Sequence, residues 1–171
     1  MLRIDITSFA EGIHHVELEP DAQALDLDPD RFANIRVDAA LDFFNDRILV
    51  TLQASAVATL ECDRTLRPFD QSIEGAYRIL YAPPSFAHDR EEDGDGSYEE
   101  VGVFQPSDRE IDLTEAVRDT LLLAVPARKV APGAEDEAIQ TIFGVAANAG
   151  EPPIDPRWEA LRPLRSDGGS S

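Results

Sequence analysis

The sequence predicts an α+β fold, in which an antiparallel β-rich meander or partial barrel packs against one main helix at about 112–124. Several long segments place apolar residues at every second position, as strands require, whereas 112–124 repeats them at helical spacing. With 43% hydrophobic residues among 171, the chain has enough apolar material for a core. We therefore expect a single domain over 1–165, followed by a disordered tail over 166–171.

The alternating segments define the predicted strands in chain order. These strands cover 2–6, 16–18, 35–43, 48–60 and 70–81. Residues 20–34 are rich in Asp and Pro, which predicts turns there. Asn45 and Asp46 separate two long alternating segments and tolerate positive φ, so they predict a tight hairpin. Strands that follow each other in this way form an antiparallel meander.

The second half of the chain alternates polar segments with shorter elements. Residues 83–100 are acidic and marked by Gly and Pro, so we expect a mobile acidic loop, followed by a short strand over 101–104. Asp112 and Glu115 resemble a capping box at the start of the main helix, and Pro126 marks its end.

Beyond the main helix, the sequence predicts only short helical pieces and a linker. A second helical piece is expected over 135–143, a Gly/Pro-rich linker over 144–154, and one or two helical turns over 156–161.

The composition indicates a cytoplasmic protein with a very acidic surface. No apolar run approaches the ~18 residues of a membrane span, and the first residues lack a signal-peptide pattern. Cys62 is the only cysteine, so no internal disulfide can form. Fifteen basic residues oppose 34 acidic ones, which gives a formal net charge of −19. Such acidity indicates either halophilic adaptation to high salt or a basic partner.

Three patterns approach metal or catalytic sites, and we expect none of them to act as one. Residues 89–100 come near a calcium-loop pattern, but neither flank is predicted to be helical. His14 and His15 are adjacent on a strand and therefore point to opposite faces. Cys62 has no histidine nearby in the sequence, which favours a packed thiol over a nucleophile. We expect a protein that is not an enzyme.

Three segments resemble, in order and rough spacing, the signatures of the YceD family. They are LECDRTLRPF (60–69), EIDLTEAVRDTLLLAVPARKV (110–130) and DPRWEALRPL (155–164). The resemblance implies a small cytoplasmic protein that is linked to 23S rRNA accumulation and has no catalytic residues. Many members carry further cysteines that would suit zinc. Here Thr65 occupies the second cysteine position and 130–154 contains no cysteine, so we expect no metal and no cofactor.

The family-like segments differ from the rest of the chain in charge. Taken as 60–69, 110–130 and 155–165, they carry as many basic as acidic residues, so the rest of the chain holds the whole net charge of −19. If they converge in space, their basic side chains are the predicted binding surface, because arginine is well suited to phosphate. The candidate binding residues are Arg64, Arg67, Arg118, Arg128, Lys129, Arg157, Arg162 and Arg165.

Two partners remain open at this stage, and both imply action by binding. The first is 23S rRNA, contacted through these basic side chains. The second is a basic large-subunit ribosomal protein, which the net charge favours because an acidic protein repels phosphate. The alternatives are that the arginines only pair with neighbouring carboxylates, or that the chain is an interaction or structural domain unrelated to ribosomes.

Overall fold

The computed structural model describes residues 1–85, 98–105 and 107–137. The predictions for the central part of the acidic loop, for 138–143 of the second helical piece, and for everything beyond it lie outside the described residues. This includes three candidate binding residues, Arg157, Arg162 and Arg165.

The described residues form two sheets, a 3₁₀ helix at Ala22–Leu25 and one α-helix, α1, at Thr114–Ala124. The strands are β1 (Arg3–Asp5), β2 (Gly12–Leu18), β3 (Phe32–Phe44), β4 (Arg47–Glu61), β5 (Pro68–Ala82), β6 (Glu100–Val103) and β7 (Glu110–Asp112). The larger sheet has the order β2-β3-β4-β5-β6, and β1 pairs with β7 in the smaller one. The predicted α+β class is confirmed.

The four strands β2 to β5 form the predicted antiparallel meander. The strand β6 departs from that prediction because it runs parallel to β5. A parallel neighbour needs a crossover of about a dozen residues or more, and the long segment between Ala82 and Glu100 supplies one. The length of the acidic segment therefore permits the change of direction.

The hairpin between β3 and β4 forms where the sequence predicts it. Asn45 and Asp46 adopt φ of 45° and 58°, and Phe44 pairs with Arg47 across the turn. Positive φ at both central residues matches the twist of the flanking strands, which is why this turn type closes two-residue hairpins.

The core lies between α1 and one face of the larger sheet. Every second side chain of β4 points into it, and each is at most 4% exposed. These residues are Ile48, Val50, Leu52, Ala54, Ala56, Ala58 and Leu60. From the helix, Val117 and Leu121 are fully buried against this face.

The start of α1 differs from the prediction. Asp112 belongs to β7 and the helix begins at Thr114, so the predicted capping box is wrong. The Asp112 carboxylate accepts hydrogen bonds from the Thr114 amide at 2.9 Å and from its hydroxyl at 2.5 Å. Glu115 instead pairs with Arg118 at 3.3 Å. The end of the helix before Pro126 is confirmed.

The predicted boundary of the acidic loop is also corrected at its C-terminal end. The Glu99 amide donates to the Arg78 carbonyl at 2.9 Å, and the Arg78 amide donates to the Glu99 carboxylate at 2.7 Å. Glu100 then begins β6. Within the described ranges, no helix is long and apolar enough to cross a membrane.

Candidate functional site

The site is built on a tight turn that connects β4 to β5. The Cys62 amide donates to the Arg67 carbonyl at 2.9 Å, and the Leu66 amide donates to the Cys62 carbonyl at 2.8 Å. Leu66 adopts a left-handed φ of 57°, which lets the chain reverse within these few residues. The turn therefore presents Arg64 and Arg67 at the end of a long, well-paired hairpin.

The segment that follows α1 is bonded directly to this turn. The Asp63 amide donates to the Lys129 carbonyl at 2.7 Å, and the Lys129 amide donates to Asp63 Oδ2 at 2.7 Å. The Arg64 side chain donates from Nε to the Glu137 carbonyl at 2.7 Å. Two of the three family-like segments, 60–69 and 110–130, thus converge, and the third lies outside the described residues.

Cys62 also connects these two segments, through a hydrogen bond in the protein interior. Its side chain is fully buried, and Sγ accepts a hydrogen bond from the Ala131 amide at 3.3 Å. This bond, together with bonds from Thr65 and from the Arg64 amide, lowers the pKa of the Cys62 thiol to about 7. Burial opposes the shift and has the smaller effect. Cys62 is a packed thiol, as predicted, but it also serves as a hydrogen-bond acceptor.

We call Arg64, Arg67, Arg128 and Lys129 the basic patch. Their backbones are brought together by the bonds around Asp63 and Cys62. Arg67 and Arg128 are exposed, whereas Arg64 and Lys129 are partly buried. Among the described residues, no carboxylate lies within ion-pair distance of any of these four side chains.

Arg118 stands apart from the basic patch. It lies on α1 and pairs with Asp119 at 3.0 Å and with Glu115 at 3.3 Å. These carboxylates, Asp119 first, raise the pKa of its guanidinium. For Arg118 the structure therefore shows pairing with its own helix, which was the alternative to phosphate binding. Arg3 and Arg36 are paired in the same way, with Glu110 and Asp112 and with Glu19 respectively.

The two histidines of β2 differ in environment, since His14 packs against aromatic rings and His15 is exposed. His14 stacks on Phe9 with ring centres 4.7 Å apart, meets Phe43 edge-on at 5.7 Å, and contacts the Ala10 carbonyl through Nε2 at 2.8 Å. Over the described ranges, no group of three or more His, Cys, Asp or Glu side chains could hold a metal ion. Most of the calcium-like pattern over 89–100 lies outside those ranges.

The sequence did not identify the residues that assemble the patch. Asp63 is one more carboxylate in an acidic chain, and nothing local indicates that it bonds to a backbone amide 66 residues away. The lone Cys62 likewise gives no sign that it accepts a bond from Ala131. The most informative sequence feature was the order and spacing of the family-like segments. It suggested that the segments lie close together in space, but it did not indicate which bonds join them.

A family model described as "Large ribosomal RNA subunit accumulation protein YceD" matches residues 50–165. No match was found among curated proteins or among solved structures. The matched range starts within β4 and includes the turn at Cys62, the parallel strand β6, α1 and all four residues of the basic patch. It covers more than half of the chain. This chain therefore belongs to the YceD family, as the three family-like segments predicted.

Proposed function

We propose that this protein supports the accumulation of 23S rRNA, and hence of the large ribosomal subunit, by binding in the cytoplasm and without catalysis. The description of the family supports the ribosomal part of this proposal. The basic patch supports the mode of action. The hydrogen bonds of Asp63 and Cys62 bring the backbones of its members together. Arg67 and Arg128 are exposed and have no carboxylate partner among the described residues, so their donors are available to a ligand. Arg64 already uses its Nε donor on the Glu137 carbonyl.

The chemistry of the patch favours phosphate as that ligand. A guanidinium offers a planar fork of donors that matches two phosphate oxygens, and exposed Arg67 and Arg128 have this group unpaired within the described part of the chain. The formal net charge of −19 opposes the approach of RNA. Binding therefore depends on a local surface that is less acidic than the rest, which the patch provides.

A basic large-subunit ribosomal protein is the second candidate partner, and the net charge of −19 is the observation that favours it. Such a partner would be attracted by most of the surface. The two candidates predict different effects of the same substitutions, because the loss of arginines weakens RNA binding and leaves or strengthens the attraction of a basic protein.

The test is recovery of cross-linked RNA and protein with the tagged chain from a cell lysate. The key variant is Arg67→Glu with Arg128→Glu, since Arg64 also holds the Glu137 carbonyl. The matched control is Arg31→Glu with Arg36→Glu, which changes the charge equally on exposed residues of another region.

We expect the wild type and the control to recover 23S rRNA over 16S rRNA, and the patch variant to lose most of it. Recovery of 23S rRNA that is equal for both variants would contradict the role of the patch. Recovery of neither 23S rRNA nor large-subunit proteins by the wild type would favour an interaction domain unrelated to ribosomes.

A further inference from the structure

A second surface lies where α1 crosses β5 and β6. Here a groove of about 340 Å³ opens between the helix and the two strands. Its floor contains the rings of Tyr77 and Tyr81, and Leu123 of α1 stands at its edge. A groove of this volume is at the lower end of the range of about 300–1,000 Å³ that ligand-binding clefts occupy.

The floor of the groove is fixed in place before any ligand arrives. The Tyr81 ring lies against Gly102, where a Cβ atom would come within 2.7 Å of ring carbons, and its hydroxyl donates to the Asp112 carbonyl at 2.9 Å. The Tyr77 hydroxyl donates to the Glu100 carboxylate at 3.4 Å. Both rings are thus held by β6 and β7, so little side-chain freedom is lost on binding.

The walls of the groove are acidic. Four carboxylates, from Glu100, Asp112, Glu115 and Asp119, line it, and no lysine or arginine is among the described lining residues. Arg3 and Arg118 pair with three of them from outside the groove, which leaves the acidic excess only partly offset.

Burial and, to a smaller extent, the neighbouring carboxylates raise the pKa of both tyrosine hydroxyls. Burial first, and then the charges of Glu100 and Asp112, raise the pKa of Tyr81 to about 12. Burial and the charge of Glu100 likewise raise the pKa of Tyr77.

The edge of the groove is apolar, and no described residue covers it. Leu123 is 82% exposed and the neighbouring Leu122 is 46% exposed, although the rest of their helix turn packs on the sheet. An exposed leucine beside two aromatic rings offers contact area to an aliphatic side chain. The surface therefore combines an apolar contact area at Leu123 with carboxylates that line the groove.

We propose that this groove binds a lysine- and arginine-rich polypeptide segment that carries an aliphatic residue between its basic side chains. RNA does not fit, because four carboxylates would face its phosphates. A second copy of this chain does not fit either, because it brings its own net charge of −19. A basic segment with an aliphatic residue matches both the negative charge of the groove and its apolar contact area. The inference gives the second candidate partner a surface and does not depend on the rRNA contact at the basic patch.

The test uses two synthetic peptides, because any basic peptide is attracted to an acidic protein. One consists of lysine and arginine with two central leucines, and the other has serines in place of the leucines. The groove variant is Glu100→Gln with Asp119→Asn and Leu123→Ser. Its matched control, on β2 and β3, is Glu17→Gln with Asp38→Asn and Ile13→Ser, which removes the same charges and one leucine-sized exposed side chain.

We expect the groove variant to bind the leucine peptide about tenfold more weakly than the wild type, and the control to stay within about twofold. The wild type should prefer the leucine peptide over the serine peptide. Equal losses in both variants, or no preference for leucine, would overturn the proposal and leave only attraction by net charge. Thermal unfolding of each variant shows that the fold is kept.

Amide chemical shifts provide the second measurement. Addition of the leucine peptide should move resonances of 77–81, 100–102 and 112–123 more than those of the rest of the chain. Shifts spread over the sheet face of β2 and β3 would contradict the assigned location, whatever the affinities are.

Discussion

Asp63 and Lys129 form a closed pair of hydrogen bonds, in which each amide donates to an oxygen of the other residue at 2.7 Å. This pair ties the turn after β4 to the segment after α1. The basic residues on both segments are thus positioned by hydrogen bonds that backbone amides donate, and not by ion pairs.

Loss of the Asp63 carboxylate should loosen this connection. We expect Asp63→Ala to lower the free energy of unfolding by about 1–2 kcal/mol, because the Lys129 amide loses a charged acceptor. Urea unfolding measures the change. Glu61→Ala, two residues earlier and also exposed, is the control and should cost under about 0.5 kcal/mol. Equal costs for the two variants would show that the Asp63 bond adds nothing to stability.

The close contact of α1 with β5 gives a second prediction. At Gly75 a Cβ atom would lie 2.8 Å from Thr120 Cγ2 and 3.2 Å from the Thr120 carbonyl oxygen. Gly75→Ala should therefore destabilise the protein by about 1–3 kcal/mol through overpacking. Thr120→Ser removes the nearer atom and keeps the hydroxyl that bonds to the Ala116 carbonyl, so it should restore part of the loss. A double variant no more stable than Gly75→Ala would place the strain elsewhere.

The Cys62 thiol predicts a dependence of stability on pH. Its pKa is lowered from 9.0 to about 7 in the folded protein, so between these values the unfolded state binds more protons than the native state. The free energy of unfolding should consequently rise with pH across this window, and the contribution is lost as pH falls through 7.

Cys62→Ser provides the control for this effect, because a serine hydroxyl does not ionise in this range. Urea unfolding of both proteins across the window gives the two slopes, and the wild-type slope should be the steeper. Parallel pH profiles would show that the folded thiol keeps its ordinary pKa. The buried thiol should also resist alkylation until the protein unfolds.

The hairpin turn allows a fourth test. Asp46 has a φ of 58°, which costs a β-branched residue about 1–2 kcal/mol and glycine nothing. Asp46→Val should lower the melting temperature, whereas Asp46→Gly should maintain or raise it. A loss of stability in the glycine variant that matched the valine variant would mean that the Asp46 side chain, and not its backbone angle, supports the turn.

The sequence predicted features of the fold that have local causes. The turn at Asn45 and Asp46 and the burial of alternate residues in β4 follow from residue type and spacing alone, and both are confirmed. The direction of β6 did not follow, because it depends on how a long crossover returns to the sheet. The capping box failed because Asp112 takes part in β7, and its carboxylate is used there by Thr114.

The candidate site likewise has some features that the sequence predicts and others that depend on contacts between distant segments. Arg67 and Arg128 could be proposed from the sequence because the family-like segments carry them. The bonds of Asp63 and Cys62 that bring those segments together could not be proposed, because hydrogen bonds between distant segments leave no local pattern. The groove beside Leu123 was missed for a related reason. The helical spacing of apolar residues over 112–124 predicts a face of α1 that packs on the core, whereas the exposure of Leu123 outside that face is seen only in the structure.

The most direct test of the account is the ratio of large to small ribosomal subunits on a gradient, in cells that lack this protein and are complemented by its variants. Deletion should lower the ratio. Wild type and the Arg31→Glu, Arg36→Glu control should restore it, whereas the Arg67→Glu, Arg128→Glu variant should not, with urea unfolding used to check that its stability matches that of the wild type. A ratio unchanged by deletion would contradict the ribosomal function, and full rescue by the Arg67, Arg128 variant would contradict the role of the basic patch.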